Sequence, residues 1–210
     1  MSTALGDMAW ALFHDVAQRV ISLNKLEQRR HLRERLRALA LPEGALALDF
    51  GCGTGLFAPT FQAAGLRYVG YDIDPRLVGY ARRLYGGARF VSMEEELRVA
   101  APFDLIVANC CFHHIADDVL SSELGRMRSL LADGGTFVMI DILLRDPDPS
   151  FLHRQFMKLE RGAYVRRPEQ YRALVEQHFQ VRRVDQDRSH VFSLPQNLLY
   201  NDFVILECGR

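Results

Sequence analysis

Asp49 precedes three glycines at alternate positions in the run Leu46-Ala47-Leu48-Asp49-Phe50-Gly51-Cys52-Gly53-Thr54-Gly55. Apolar residues lead in, glycines follow where backbone must turn sharply and approach something closely, and a helix start comes next. The run therefore reads as strand, ligand loop and helix. Phosphate-binding loops share that plan, but an acid at the mouth of the loop would repel pyrophosphate. It suits positive groups instead, such as an amino acid ammonium or a sulfonium. The spacing agrees, because a dinucleotide fingerprint puts its third glycine three residues after the second, where this chain has Leu56. A second acid, Asp72, closes the apolar run Tyr68-Val69-Gly70-Tyr71. A carboxylate at the C-terminal tip of a strand can accept from two vicinal sugar hydroxyls at once; Asp72 and its neighbour Asp74 can equally serve only as helix caps. A third cluster, Asn109-Cys110-Cys111-Phe112-His113-His114, follows the apolar run Phe103–Ala108. A histidine there can take a proton from a nucleophile, since its reference pKa lies near neutrality. Beside apolar residues it can also be purely structural. Contiguous cysteines and histidines do not readily wrap one tetrahedral ion, so no metal is expected.

These residues resemble the class I S-adenosylmethionine-dependent methyltransferase family, whose first motif is acid, x, Gly, x, Gly, x, Gly. Asp49, Gly51, Gly53 and Gly55 match it in full, and the likeness continues through most of residues 44 to 141. The resemblance implies an α/β, Rossmann-like fold: a seven-stranded, mostly parallel sheet of order 3-2-1-4-5-7-6, with helices on both faces and an N-terminal helical cover. It implies S-adenosylmethionine as cofactor, bound by Asp49, Gly51, Cys52, Gly53 and Gly55 of the loop, by Asp72 at the ribose, and by Ile73, Asn109 and Cys110. Members usually place an aspartate after the third strand for the adenine amino group, and here the alignment slides between Met93 and Glu94. Met93 packing on the purine while Glu94 accepts its hydrogen bond is one reading; a triple glutamate that merely starts a solvated helix is the other. Many members carry a His-His or Glu-His pair where His113 and His114 stand, which makes both catalytic candidates, with Tyr164 as a further one.

Stepping along the chain, Trp10, Phe13, Val16, Val20, Leu23 and Leu26, then Leu32, Leu36 and Leu39, recur at helical spacing and predict two helices in a cover spanning residues 1–43. The basic run Arg29–Arg37 reads as a solvated amphipathic face. From residue 44 the core domain runs to 210. Thr54 is placed to cap a helix reaching Ala64 and stopped by Gly65. Strands follow at Tyr68–Asp72, Ala88–Ser92, Phe103–Ala108 and Thr136–Asp141, and helices at Pro75–Leu84 and Val119–Leu131, with Asp74 capping the first of these. Gln180–Val184 and Leu199–Glu207 supply the last two strands, and the segment between them, His190–Tyr200, is a possible substrate contact. Between them and the fifth strand lies a substrate-covering segment at about residues 143–172, with helices predicted at Ser150–Arg161 and from Pro168. It carries His153, Arg154 and Arg166 as substrate-binding candidates. An arginine fork there favours an anionic acceptor; arginines pairing with Glu160 and Glu169 on a surface helix would say nothing of the acceptor.

The 210 residues, 49% of them hydrophobic, suit one globular domain. A formal net charge of zero gives no global field toward nucleic acid, which is not expected as a partner. No apolar run approaches a membrane span and no signal-peptide layout opens the chain, so a cytoplasmic protein with reduced thiols at Cys52, Cys110, Cys111 and Cys208 is expected. The function implied is transfer of a methyl group to oxygen, nitrogen or carbon of a small molecule. The alternative on the same fold is a cofactor-binding accessory protein or a non-methylating enzyme such as a rearrangement catalyst. A nucleotide-linked dehydrogenase is disfavoured by Asp49 and by the absence of a glycine at position 56.

Overall fold

Leu46–Phe50 form β1, a strand buried along almost its whole length, as expected where a parallel sheet is covered on both faces. The structure, a computed structural model, describes residues 25–144, 163–190 and 200–210. The sheet has seven strands in the order β3-β2-β1-β4-β5-β7-β6, the order implied by the family resemblance. Contacts divide the chain between Phe103 and Asp104 into two compact units.

In the first unit β1 runs parallel to β2 (Arg67–Tyr71), and β2 parallel to β3 (Arg89–Val91). Helix α1 (Lys25–Leu39) buries Gln28, His31, Leu32 and Leu36 along one face and leaves Arg30, Arg33 and Arg37 exposed on the others. It packs on α2 (Ala58–Gln62), and Arg29 Nη2 donates to the Leu56 carbonyl at 2.9 Å. The expected helix preceding α1 lies outside the described residues.

The helix after the glycine loop starts later than expected. Thr54 does not cap it; α2 begins at Ala58, its N-cap Phe57 makes no side-chain cap bond, and Pro59 sits in the first turn. Gly51, Gly53 and Gly55 all adopt positive φ, and the turns closed by Gly55 N to Cys52 O and Ala58 N to Gly55 O occupy the residues that would have formed the first helical turn. Downstream, α3 (Pro75–Leu84) is capped by Asp74, which accepts from Arg76 N at 2.9 Å, and α4 (Glu94–Ala100) opens after Met93.

In the second unit β4 (Phe103–Asn109) leads through a 3-10 turn at Phe112–His114 into α5 (Asp117–Leu130), which buries Leu120, Leu124 and Met127. Strand β5 (Leu131–Ile142) extends further back than the predicted Thr136, although its ladder with β7 (Tyr200–Gly209) begins at Thr136 opposite Gly209. Helix α6 (Pro168–Glu176) starts at the predicted proline. Strand β6 (Gln180–His190) continues well past Val184 through a polar sequence, because the antiparallel ladder with β7 supplies its backbone partners out to His190 opposite Tyr200. Leu105, Ile106, Val107, Phe137 and Met139 are buried in the core of this unit. No described helix is long and apolar enough to cross a membrane, and none of the four cysteines is in a disulfide.

Candidate active site

The glycine loop is tied to the tip of β2. The Tyr71 carbonyl accepts from both Gly51 N, at 2.8 Å, and Cys52 N, at 2.9 Å. One residue on, Asp72 accepts from Gly53 N through Oδ2 at 2.8 Å and from Asp74 N through Oδ1 at 2.9 Å. Gly55 is required twice over: its φ is +76°, and a Cβ there would stand 2.7 Å from the Phe90 ring. Nothing lies within 4 Å of where a Cβ on Gly53 would be, so the outer side of the loop is open.

Beneath the loop, Asp49 is 1% exposed and accepts from the Tyr68 hydroxyl at 2.9 Å. Burial pushes its carboxyl up to about 7; the Tyr68 hydrogen bond opposes this and the Asp72 charge adds to it. The same burial, with Asp49 alongside, pushes both the Cys52 thiol and the Tyr68 phenol up. Space for this cluster comes from Gly70, opposite Asp49 in the β1–β2 register, where a Cβ would stand 2.7 Å from the Tyr68 hydroxyl and 2.9 Å from Cys52 Sγ. Neither Tyr68 nor Gly70 stands out in the sequence as more than a strand residue.

Beyond Asp72, Ile73 is 83% exposed and Met93 is also exposed, so both present apolar surface to solvent. Glu94 opens α4 and pairs with Arg98 at 2.5 Å.

The second unit holds the other candidates. Asn109 ends β4 with its side chain buried, and neither its Oδ1 nor its Nδ2 has a hydrogen-bond partner. Cys110 takes a positive φ of 54° and donates its backbone N–H to the Ile140 carbonyl at 2.8 Å. His113, 3% exposed, has its Nδ1 2.5 Å from Asp141 Oδ1. Asp141, on β5, also accepts from the backbone of Phe112 and His113 through Oδ2 and from Ile142 N through Oδ1. An acceptor set of this kind makes Nδ1 the protonated nitrogen and Nε2 the basic one. The His114 ring lies 4.1 Å from that of His113, centroid to centroid.

Tyr164 is exposed, and its backbone N–H donates to the His113 carbonyl at 3.0 Å. Arg166 is 4% exposed and committed to protein: Nε and Nη2 donate to Asp117 Oδ1, Nη1 to the carbonyls of Phe112 and Tyr164, and Nη2 to that of Ile115. Its fork therefore holds a turn where the sequence suggested an anion. His153 and Arg154, the predicted helix at Ser150–Arg161 and most of the segment joining β6 to β7 lie outside the described residues. The partner that sequence reasoning missed is Asp141, which reads there only as the last residue of an apolar strand; an acid ending such a strand, beside a histidine pair ending another, was the available signal. Among the described residues no group of three or more histidine, cysteine, aspartate or glutamate side chains is arranged to hold a metal.

Residues 23–189 match the family model described as a methyltransferase domain. An uncharacterized methyltransferase of Synechocystis sp. is 27% identical over 129 residues, 60% of this chain and 61% of that protein. The ribosomal protein L11 methyltransferase of Burkholderia multivorans is 34% identical over 113 residues, 50% of this chain and 34% of that one. The chain thus spans less than two thirds of the length of these relatives. Among solved structures, phosphoethanolamine N-methyltransferase 2 of Haemonchus contortus, in complex with S-adenosyl-L-methionine, aligns with a TM-score of 0.66 over 99% of this chain and 57% of that one; at 14% identity the likeness is one of fold. The chain belongs to the class I methyltransferase family, whose cofactor is S-adenosylmethionine.

Proposed function

We propose that the protein transfers the methyl group of S-adenosylmethionine to an oxygen, nitrogen or carbon nucleophile of a small molecule, with S-adenosylhomocysteine as the other product. The residues of the first unit fit such a cofactor by their chemistry. Two carboxylates at the loop, Asp49 and Asp72, suit a sulfonium or ammonium and a ribose diol and would disfavour a pyrophosphate. Asp72, Gly51, Cys52, Gly53 and Gly55 would hold the nucleoside, with Ile73 and Met93 offering apolar surface to the purine. When bound, the cofactor supplies a methyl group already activated on a positive sulfur.

The chain's own contribution is then alignment, exclusion of water and removal of a proton. The observation that carries this reading is the buried His113–Asp141 pair. Asp141 keeps the proton of the neutral ring on Nδ1, so Nε2 is the nitrogen that accepts the proton of an acceptor hydroxyl or protonated nitrogen. The unpartnered amide of Asn109 and the phenol of Tyr164 are further groups for orienting the acceptor. Because one relative is named for a ribosomal protein, the acceptor panel should hold a protein as well as metabolites.

The test is this panel of acceptors, assayed for S-adenosylhomocysteine. His113→Gln is expected to cut turnover far more than cofactor affinity. A cofactor-bound protein that forms no S-adenosylhomocysteine with any acceptor would favour the accessory or rearrangement reading, and equal losses in turnover and affinity would make His113 structural.

A further inference from the structure

Five hydrogen bonds leave the Arg166 guanidinium, one for each of its N–H groups. Two reach Asp117 Oδ1, at 2.8 and 2.6 Å, on the first residue of α5. Two reach the carbonyls that bracket the 3-10 turn, Phe112 at 3.0 Å and Ile115 at 2.6 Å, and the fifth reaches the Tyr164 carbonyl at 3.0 Å. The guanidinium carbon also lies 5.6 Å from the ring centre of Tyr171 and 5.9 Å from that of Tyr164. The backbone of Arg166 bridges to Leu143, just beyond β5, and its carbonyl accepts from Leu144 N at 2.9 Å. His113 sits inside this bracket, with its own carbonyl bonded to Tyr164 N and its ring to Asp141 on β5.

We propose that Arg166 is a positioning residue for His113: by fastening both ends of the 3-10 turn to the start of α5 and to the chain beyond β5, it keeps the His113 ring on Asp141 and its Nε2 in one orientation. The hold has two independent sides. Asp141 fixes the turn from β5 through the amides of Phe112 and His113, and Arg166 fixes it through the carbonyls of Phe112 and Ile115. A turn this short has few internal backbone bonds of its own, so its carbonyls need outside donors, and a planar fork meets several at fixed angles where a lysine would meet fewer. Asp117 completes the arrangement as an exposed anion, 71% accessible, against a buried cation. The consequence for turnover rests on the reading of His113 as proton acceptor; the hold on its ring does not.

The two are separated by reading the ring directly. Nitrogen-15 NMR of the imidazoles, with His113 assigned by His113→Gln, is expected to show the Nδ1-protonated tautomer and a slowly exchanging Nδ1 proton in the wild-type protein. In Arg166→Lys and in Asp117→Asn that proton should exchange at least about tenfold faster, while backbone amides of β7 exchange as before. The dissociation constant for S-adenosylmethionine should stay within about twofold. In Arg166→Ala, millimolar guanidinium chloride should restore the slow exchange; should Arg166→Ala fail to fold, the lysine and asparagine variants decide. Wild-type exchange in both of those variants would overturn the proposal. A wild-type methylation rate in His113→Gln would instead remove the proton-acceptor reading and leave this one standing.

Discussion

Replacing Asp49 with asparagine should make the cofactor-free protein more stable in mild alkali than in acid, relative to the wild type. The buried carboxyl is raised from 3.8 to about 7, with desolvation as the main cause. A raised acid favours the folded state only while it is protonated. Its stability contribution is complete below about pH 4, is lost as pH rises through 7, and stays lost above. The shift of roughly three units corresponds to ~4 kcal/mol at 1.36 kcal/mol per unit, and about two of those units, ~2–3 kcal/mol, fall between pH 5 and pH 8. Asparagine keeps an oxygen to accept from Tyr68 and has nothing to ionise, so the gap between Asp49→Asn and wild type should widen in favour of the variant by that amount over the interval. Urea denaturation of both proteins, without cofactor, at pH 5 and pH 8 measures it. A gap that changes by less than about 0.5 kcal/mol would mean that Asp49 titrates as an ordinary carboxyl, and the account of the loop as a dry, cation-seeking acid would fail.

Calorimetry of S-adenosylmethionine binding near pH 7 in buffers of different ionisation enthalpy should show proton release from wild type and none from Asp49→Asn, because a bound cation draws the carboxyl into its ionised form. Asp72→Ala should weaken cofactor binding by calorimetry; an unchanged dissociation constant would remove the ribose assignment. Gly55→Ala should cost on the order of 2–3 kcal/mol by denaturant unfolding, since the new methyl meets the Phe90 ring and a positive φ together. Gly70→Ala should lower cofactor affinity as well as stability, by driving a methyl against the Tyr68 hydroxyl and Cys52 Sγ, and a loss of stability with affinity intact would separate that cluster from binding.

Local signals carried the parts of this protein that local physics decides. Alternating glycines after an apolar strand, an aspartate before a proline at Asp74, and Pro168 at a helix start each act within a few residues, and each stands where the sequence placed it. Thr54 is the local signal that failed: the positive-φ glycines on either side outweigh a capping hydroxyl and hold off the helix until Ala58. What could not be read are partnerships between distant positions. Asp141 stands 28 residues from His113, and only the pairing of distant strands brings the acid that closes one to the histidine that follows another. Arg166 is one of several arginines in its segment, and nothing local distinguishes the one that turns inward to Asp117, 49 residues away. Likewise the length of β6 depends on β7, not on its own composition.

The Tyr71 carbonyl, with both lone pairs engaged by the loop, has a thermodynamic consequence. A glycine-rich segment free in solution would surrender much backbone entropy on meeting a nucleoside, but one already stapled to the adjoining strand has surrendered it during folding. Complex formation should therefore depend little on ordering of that segment. Substitutions within β2, even those remote from any bound molecule, would then appear as weaker association, because they release a turn that the partner must afterwards reshape.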